Sequence, residues 1–298
     1  MGFSSSGMDD GILQQAVIGW FLTHGRELPW RRIRDPYRIL VAEVMLQQTQ
    51  VDRVIPKYHE FLAAFPTLAD LAVAPTAEVI RAWSGLGYNR RAVNLQRTAR
   101  AAMERFDGEL PSDPTQLRSL PGIGRYTAAA VGCFAFEQAT PVVDTNIRRV
   151  LARLAGRSEP LGEREAWALA AEALPEQAWP WNQALMDLGA TVCLARAPRC
   201  LLCPAAAWCA TRAGGLAVAE RRSSYRAGRF EGSSRWYRGR AVAALRALPP
   251  GEALTLDVLG ATIRSDYRPE DRPWIEAVAA GLAADGLAKL ADGRISLP

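Results

Sequence analysis

The sequence predicts an all-α body followed by a small α+β unit at its C-terminal end, and three observations predict it. Apolar residues recur at helical spacing almost throughout, in stretches such as ILQQAVIGWFL, YRILVAEVMLQQ and AVNLQRTARAAMERF. Proline and glycine punctuate these stretches, and no strand-like alternation of any length precedes residue 285. Residues 212–236 then turn to Gly, Ser and Arg, the composition of a linker, and set 237–298 apart.

Taken in order, the first 210 residues read as roughly ten short helices. Among their turns, LPGIGRYTAAA (120–130) places two glycines before an alanine run, so a tight turn feeds a helix N-terminus. Such a turn aims unpaired backbone N–H groups outward, where a phosphate can sit; an ordinary αα-hairpin has the same pattern. Beyond the linker, YRGRAVAALRAL and TLDVLGATI predict two helices, and DRPWIEAVAAGLAADG a third with its aspartate as N-cap. LAKLADGRISLP then reads as two short strands about an Asp-Gly turn. Three helices and a hairpin make a winged-helix pattern, which either lays a helix on DNA or merely packs as a cap.

Bulk composition narrows the function classes. A chain of 298 residues can bury a core in two or three domains. The formal charge of +5, nearly all of it from arginine, is compatible with nucleic acid and equally with solvated surface. No apolar run approaches about 18 residues, so no membrane span is expected. MGFSSS fits a loose myristoylation pattern without the supporting polybasic segment, and the N-terminus lacks the form of a secretion signal. A cytoplasmic protein is expected.

Four of the five cysteines crowd into one segment. Cys193, Cys200, Cys203 and Cys209 stand at C-x6-C-x2-C-x5-C, while Cys133 lies alone in an apolar stretch as a small buried hydrophobe. Clustered thiols in a chain of this kind point to metal rather than disulfides. Either a tetrahedral zinc or a [4Fe–4S] cube takes four thiolates; the single CxxC flanked by wide gaps favours the cube.

LPGIGRYTAAAV, then VVDTNIRRVLARL, then this cysteine spacing, resembles the helix–hairpin–helix DNA glycosylases that carry a [4Fe–4S] cluster. LPWRRIRDPYRILVAEVMLQQTQV, GLGYNRRAVNL and ALMDLGATVC are similar to the MutY-type adenine glycosylases rather than the endonuclease III branch. The match runs from about residue 12 to residue 211. It implies a helix–hairpin–helix glycosylase region over 9–211, with a six-helix barrel part near 29–135 and a cluster-bearing part from 9–28 and 136–211. It also implies one [4Fe–4S] cluster on the four cysteines, double-stranded DNA with a mispaired adenine as partner, and a monomer at the bacterial nucleoid.

Breaking the bond between adenine and its sugar needs a protonated leaving base and a shield for an oxocarbenium-like sugar cation. Glu43 is the one acid in the apolar run ILVAEVML, where a charge is costly unless an exposed face accommodates it. The resemblance makes it the general acid that protonates adenine N7 and helps to activate water. Asp144 precedes the helix TNIRRVLARL as a natural N-cap, an arrangement expected to lower its pKa. By resemblance it stabilises the sugar cation, with Asn146 orienting it or the water. Tyr126 stands where strand-cutting relatives carry a lysine, and it cannot form a Schiff base, so base removal without strand scission is expected.

A flipped base leaves a gap to fill. The resemblance gives Gln47 and Gln48 of LQQT to the orphaned partner base and Tyr88 of GLGY to a wedge between bases. It gives Gly122 and Gly124 of the hairpin to a phosphate grip. Arg90, Arg91, Arg125, Arg148 and Arg149 are candidate backbone contacts. Arg26, Leu28, Trp30, Arg31 and Asp187 would line the adenine pocket, with core packing the competing role for Leu28 and Trp30.

Two departures stand out. Residues 237–298 are too short for the Nudix-like domain with which typical adenine glycosylases read 8-oxoguanine, so the partner base opposite adenine stays open. VDTN also puts threonine where glycine is common. A thymine or uracil mismatch glycosylase on the same scaffold, and a non-catalytic iron–sulfur DNA-binding regulator, are the competing functions.

Overall fold

The computed structural model describes residues 7–215 and 230–298; the centre of the expected linker and the MGFSSS segment lie outside them. Helices dominate, in the order α1 (Gly7–His24), α2 (Pro36–Leu46), α3 (Val51–Ala64), α4 (Leu68–Val73), α5 (Thr76–Ala82), α6 (Arg90–Arg105), α7 (Pro114–Arg118), α8 (Arg125–Phe134), α9 (Thr145–Leu154), α10 (Glu163–Glu172), α11 (Ala178–Asp187) and α12 (Ala210–Ala213). After the gap come α13 (Ser234–Ala247), β1 (Leu254–Thr255), α14 (Leu256–Ile263), α15 (Arg272–Ala284), β2 (Lys289–Ala291) and β3 (Arg294–Ser296). None of the described helices is long and apolar enough to cross a membrane.

Two compact units emerge, and the division falls inside α2, after Leu40. Among the described residues, the first unit holds 7–40, 112–118 and 123–215, and the second holds 41–111, 119–122 and 230–298. In the first, α1 packs along α11 and α9 lies against α10, α11 and α12. Val17, Ile147, Leu151, Leu161, Trp181 and Leu185 centre that core. In the second, α4 and α5 pack on α6.

The C-terminal elements follow the predicted pattern, with one addition. Helix, strand, helix, helix and hairpin form a winged-helix arrangement, and β1 joins the hairpin in an antiparallel sheet of order β1-β3-β2. β1 is two residues long, too short to show any alternation, so periodicity could not reveal it. Asp292 (φ 50°) and Gly293 (φ 68°) turn the hairpin, both in the left-handed region that a type I′ turn requires. Asp271 does stand before α15, but its carboxylate accepts from the Arg268 N–H and Arg264 instead of capping the helix. Pro273 in the first turn removes one of the donors a cap would have served.

This C-terminal sheet and its helices are not a detached body within their unit. Ile80 of α5 and Val93 of α6 lie in the same core as Val242, Leu245, Leu259, Ile275, Leu282 and Ile295. Arg81 Nη2 donates to the Leu248 carbonyl (2.9 Å), and Arg246 Nη2 to Asn89 Oδ1 (2.9 Å). The outward residues of α15 include Glu276, Ala277 and Ala280, which offer no cation to a phosphate. The packing role fits these elements better than groove reading. Leu245→Ala should cost about 2–5 kcal/mol. It should lower hydrogen-exchange protection in α5 and α6 together with α13–α15, because the core is shared. Protection lost only beyond residue 230 would contradict that shared core.

Candidate active site

α9 begins at the expected aspartate. Asp144 has extended backbone (φ −97°, ψ −174°), and its Oδ1 accepts from the Ile147 N–H at 2.7 Å, so it caps α9. Asn146 donates its amide to Asp144 Oδ2 (2.9 Å), and Arg149 Nη2 donates in turn to Asn146 Oδ1 (3.0 Å). Thr145, the residue that departs from the family pattern, is the first helical position and is exposed. The expected fall in pKa does not occur. Burial pushes the Asp144 carboxyl up, and the Ile147 and Asn146 hydrogen bonds with the Arg149 charge offset only part of it. Capping and desolvation act in opposition here, and desolvation wins.

Arg149, expected at a phosphate, is an internal strut. Its Nε donates to the Cys193 carbonyl (2.8 Å) and its Nη2 to the Gly189 carbonyl (2.6 Å). Gly189 lies within, and Cys193 directly after, a π-helical turn, Leu188–Val192, that carries the chain from α11 to the first of the four clustered cysteines. Gly189 is there because of a close approach: a Cβ at that position would stand 2.6 Å from Asn146 Cβ. The glycine of ALMDLGATVC therefore lets the π turn lie against the residue that orients Asp144.

Arg153 was not foreseen. It is buried on α9 and donates to the carbonyls of Leu194 (2.7 Å) and Ala195 (3.0 Å), and its Nη1 lies 3.3 Å from Cys193 Sγ. The available signal was an arginine next to the apolar stripe Ile147, Val150, Leu151 and Leu154. Cys193, Cys203 and Cys209 pack against the first unit's core, with Trp208 beside them. Burial above all, together with the charges of Cys193, Cys209 and Cys200, raises the Cys203 thiol to about 11. The four sulfurs thus share one electrostatic neighbourhood. Among the described residues no set of three or more His, Cys, Asp or Glu stands at single-ion spacing.

The pocket candidates form a second network in the same unit. Asp187 is completely buried. Its carboxylate accepts from the Arg26 N–H and Nε (2.8 Å each) and from Arg31 Nη1 (2.8 Å) and Nη2 (2.7 Å). Burial alone would raise its pKa, but Arg31 and Arg26 outweigh that and hold it below the ordinary carboxylate value. Arg31 Nε also donates to Gln183 Oε1 (2.6 Å). With its acceptor directions filled, Asp187 orients the two arginines. Leu28 and Trp30 are buried, each about 6% exposed, on either side of Pro29. Tyr126 is the second residue of α8, whose N-cap is Gly124, and Arg125 stacks on Trp167 at 4.0 Å from the ring centroid.

Glu43 belongs to the second unit. It is 5% exposed, and every residue from Ile39 to Met45 is buried, so the exposed-face alternative for this acid is excluded. α2 ends at Leu46, and the LQQT turn follows with Gln47 half-buried and Gln48 exposed at φ 57°. Tyr88 is 51% exposed at φ 44°, after Gly85 and Gly87, which also have positive φ. Arg90 is exposed and 3.4 Å from Asp285. Arg91 bonds internal carbonyls and is no phosphate contact. Gly122 has φ 79°, and a Cβ there would meet Asn94 Cβ at 2.8 Å, so the hairpin needs its first glycine on two counts.

With this geometry in hand, the family comparisons are consistent with one another. The model of the HhH-GPD superfamily of base excision DNA repair proteins matches residues 41–176. The chain is similar to an adenine DNA glycosylase of Mycolicibacterium smegmatis, 40% identical over 287 residues, covering 94% of each chain. Among solved structures it is similar to a thermostable thymine-DNA glycosylase (30% identity, TM-score 0.67, covering 71% of this chain and 100% of that one). It is also similar to an endonuclease III trapped covalently on DNA (25% identity, TM-score 0.62, covering 71% and 99%).

Two predictions arise from α9. Gly189→Ala should displace Asn146 and lower excision with little change in DNA affinity, as read by single-turnover rates and binding titration. Asp144→Asn keeps the cap and cannot ionise. Because the folded-state pKa lies above the unfolded value near 3.8, the native protein holds this proton more tightly than the unfolded chain does. Ionisation therefore costs stability once the pH rises through the folded pKa, and costs nothing below the unfolded one. Relative to the parent, Asp144→Asn should therefore gain in melting temperature as the pH rises from 4 to 7.5, whatever constant loss the missing Asn146 bond adds. A gap independent of pH would contradict this. On sequence, fold and site together, the chain belongs to the HhH-GPD superfamily of base excision DNA repair proteins.

Proposed function

We propose that the protein is an adenine DNA glycosylase that hydrolyses the N-glycosidic bond of adenine mispaired with 8-oxoguanine or guanine, without cutting the strand. What supports this is a chain 40% identical to an adenine glycosylase over nearly its whole length, in which Glu43 is buried within its unit and Asp144 is capped and desolvated within its own.

In this mechanism Glu43 delivers a proton to adenine N7 and makes the base a leaving group. Asp144 faces the developing sugar cation. Fixed by the Ile147 N–H and the Asn146 amide, its carboxylate needs no reorganisation, and partial desolvation strengthens its attraction to the cation. Asn146 also positions the water that completes hydrolysis. Tyr126 supplies no amine, so no Schiff base with the sugar forms and an abasic site is the product. Arg26 and Arg31, oriented by Asp187, line the adenine pocket with Leu28 and Trp30. Gln47, Gln48 and Tyr88 fill the opened duplex, while Gly122, Gly124, Arg90 and Arg125 hold its backbone.

Cys193, Cys200, Cys203 and Cys209 would hold one [4Fe–4S] cluster. The donor set fits: burial and the neighbouring thiols raise the pKa of Cys203 and Cys209, a cost that bound positive charge would relieve, and Arg153 stands beside Cys193. The cluster would fix the loop that carries it. The protein would act as a monomer on double-stranded DNA in the bacterial cytoplasm, at the nucleoid.

The likeness to a thymine-DNA glycosylase keeps one other substrate class in the test. Purified protein is incubated with duplexes carrying A:8-oxoguanine, A:G, T:G and U:G, then treated with alkali. Scission at adenine only after alkali is expected. Scission at thymine or uracil, or scission without alkali, refutes the assignment. Absorbance near 400 nm should accompany the active protein and vanish when iron is removed.

A further inference from the structure

Two exposed side chains of the second unit sit on strained backbone. Gln48 and Tyr88 both lie in the left-handed region, at φ 57° and φ 44°. Glycine adopts that conformation freely, and a tyrosine there needs surroundings that hold it. One side chain reaches both turns. Arg91 Nη1 donates to the carbonyls of Val44 (2.7 Å), Met45 (3.0 Å) and Gln47 (2.6 Å), which include the last turn of α2 and the residue before Gln48. Its Nη2 donates to Thr49 Oγ1 (3.1 Å) and to the carbonyls of Leu86 (3.1 Å) and Gly87 (3.3 Å), the residues leading into Tyr88.

The guanidinium also lies near two rings, 5.5 Å from the Trp83 centroid and 5.6 Å from that of Tyr88. Its Nε is buried without a partner among the described residues, and burial brings its pKa down to about 10. A charge held at that cost between two turns that could each be closed by local bonds calls for a reason beyond capping α2.

We propose that Arg91 is a positioning residue that couples the Gln48 and Tyr88 turns, so that both side chains enter the DNA duplex as one rigid pair. The inference rests on the assignment of Gln48 and Tyr88 to duplex opening. A planar fork with fixed donor directions spans the two sets of carbonyls; a lysine ammonium, with one nitrogen, cannot. If the turns moved separately, one side chain could enter without the other and the adenine would fall back into the stack.

The test uses the full-length protein and a duplex with 2-aminopurine in place of the target adenine, whose emission rises on unstacking. Arg91→Lys should bind this duplex within a few-fold of the parent but lose most of the emission rise. Excision from A:G should fall on the order of 10²-fold. In the Arg91→Lys background, Gln48→Ala and Tyr88→Ala should each cost far less than in the parent, a coupling that loss of stability alone does not produce. Full emission in Arg91→Lys beside lost emission in Tyr88→Ala overturns the coupling and leaves the wedge assignment standing. Full emission in both Gln48→Ala and Tyr88→Ala overturns the wedge assignment and the coupling with it. Should Arg91→Lys fail to fold, Thr49→Val removes one contact of the same guanidinium. It should reduce the emission rise in the same sense, and no reduction overturns the proposal.

Discussion

Irregular backbone leaves carbonyl oxygens without partners, and in this protein guanidinium groups satisfy them. The π turn before Cys193, the cysteine loop, the end of α2 and the GLGY turn all present carbonyls that no helix or sheet ladder takes up. Arg149, Arg153 and Arg91 answer them with two or more bonds each. Only arginine offers five donors in one plane. The formal charge of +5 therefore overstates what the surface can present to a phosphate, since part of it is structural. The same constraint explains why the candidate site is built on turns yet held in place: each turn ends on a donor carried by a helix, α9 or α6.

Around Asp144 the proposed function sets this device an opposing requirement. A carboxylate that must attract a cation gains from being dry, and being dry makes its own charge expensive. Full neutralisation by a directly bonded arginine, as at Asp187, would make the anion comfortable and ineffective. Arg149 instead bonds Asn146, and the asparagine passes on an amide hydrogen bond without a charge of its own. Asp144 is thereby oriented but left under-compensated, in line with its raised pKa. Two aspartates of one unit thus sit at opposite ends of a scale. Asp187 is saturated and below the ordinary carboxylate value, and Asp144 is capped yet above it.

Local patterns made most of the architecture legible. Helical periodicity, the Asp-Gly hairpin and the LPGIG turn each depend on residues close in sequence, where propensity and φ preference decide the outcome. An acid in an apolar run left Glu43 open between burial and an exposed face, and only the structure decided for burial, whereas the capping by Asp144 was visible as an acid before a helix. What stayed hidden depends on distance along the chain. The pKa of Asp144 is decided by how completely its surroundings exclude water, which no capping motif encodes. Arg91 and Arg149 look like any surface arginine of a basic chain until the carbonyls they meet, in Arg149's case some 40 residues away, are placed. Gly189 reads as a helix breaker, and its reason is the approach of Asn146.

The C-terminal elements extend the same logic within the second unit. A winged-helix pattern suggests a DNA reader, but α15 turns glutamate and alanine outward, and its one cation, Arg272, is paired with Asp257 and Glu276. Arg246 bonds Asn89, the residue after Tyr88, and Asp285 approaches Arg90. The buried guanidinium of Arg246 has its pKa lowered by desolvation, a cost resembling that of Arg91 on the other side of the same turn. Ile80 and Val93, from the helices on either side of the GLGY turn, are covered by this C-terminal core. A domain that buries the roots of a turn and bonds its last residue restricts how that turn can move. If the turn enters the duplex as proposed, the contribution of these elements is mechanical: they stiffen it.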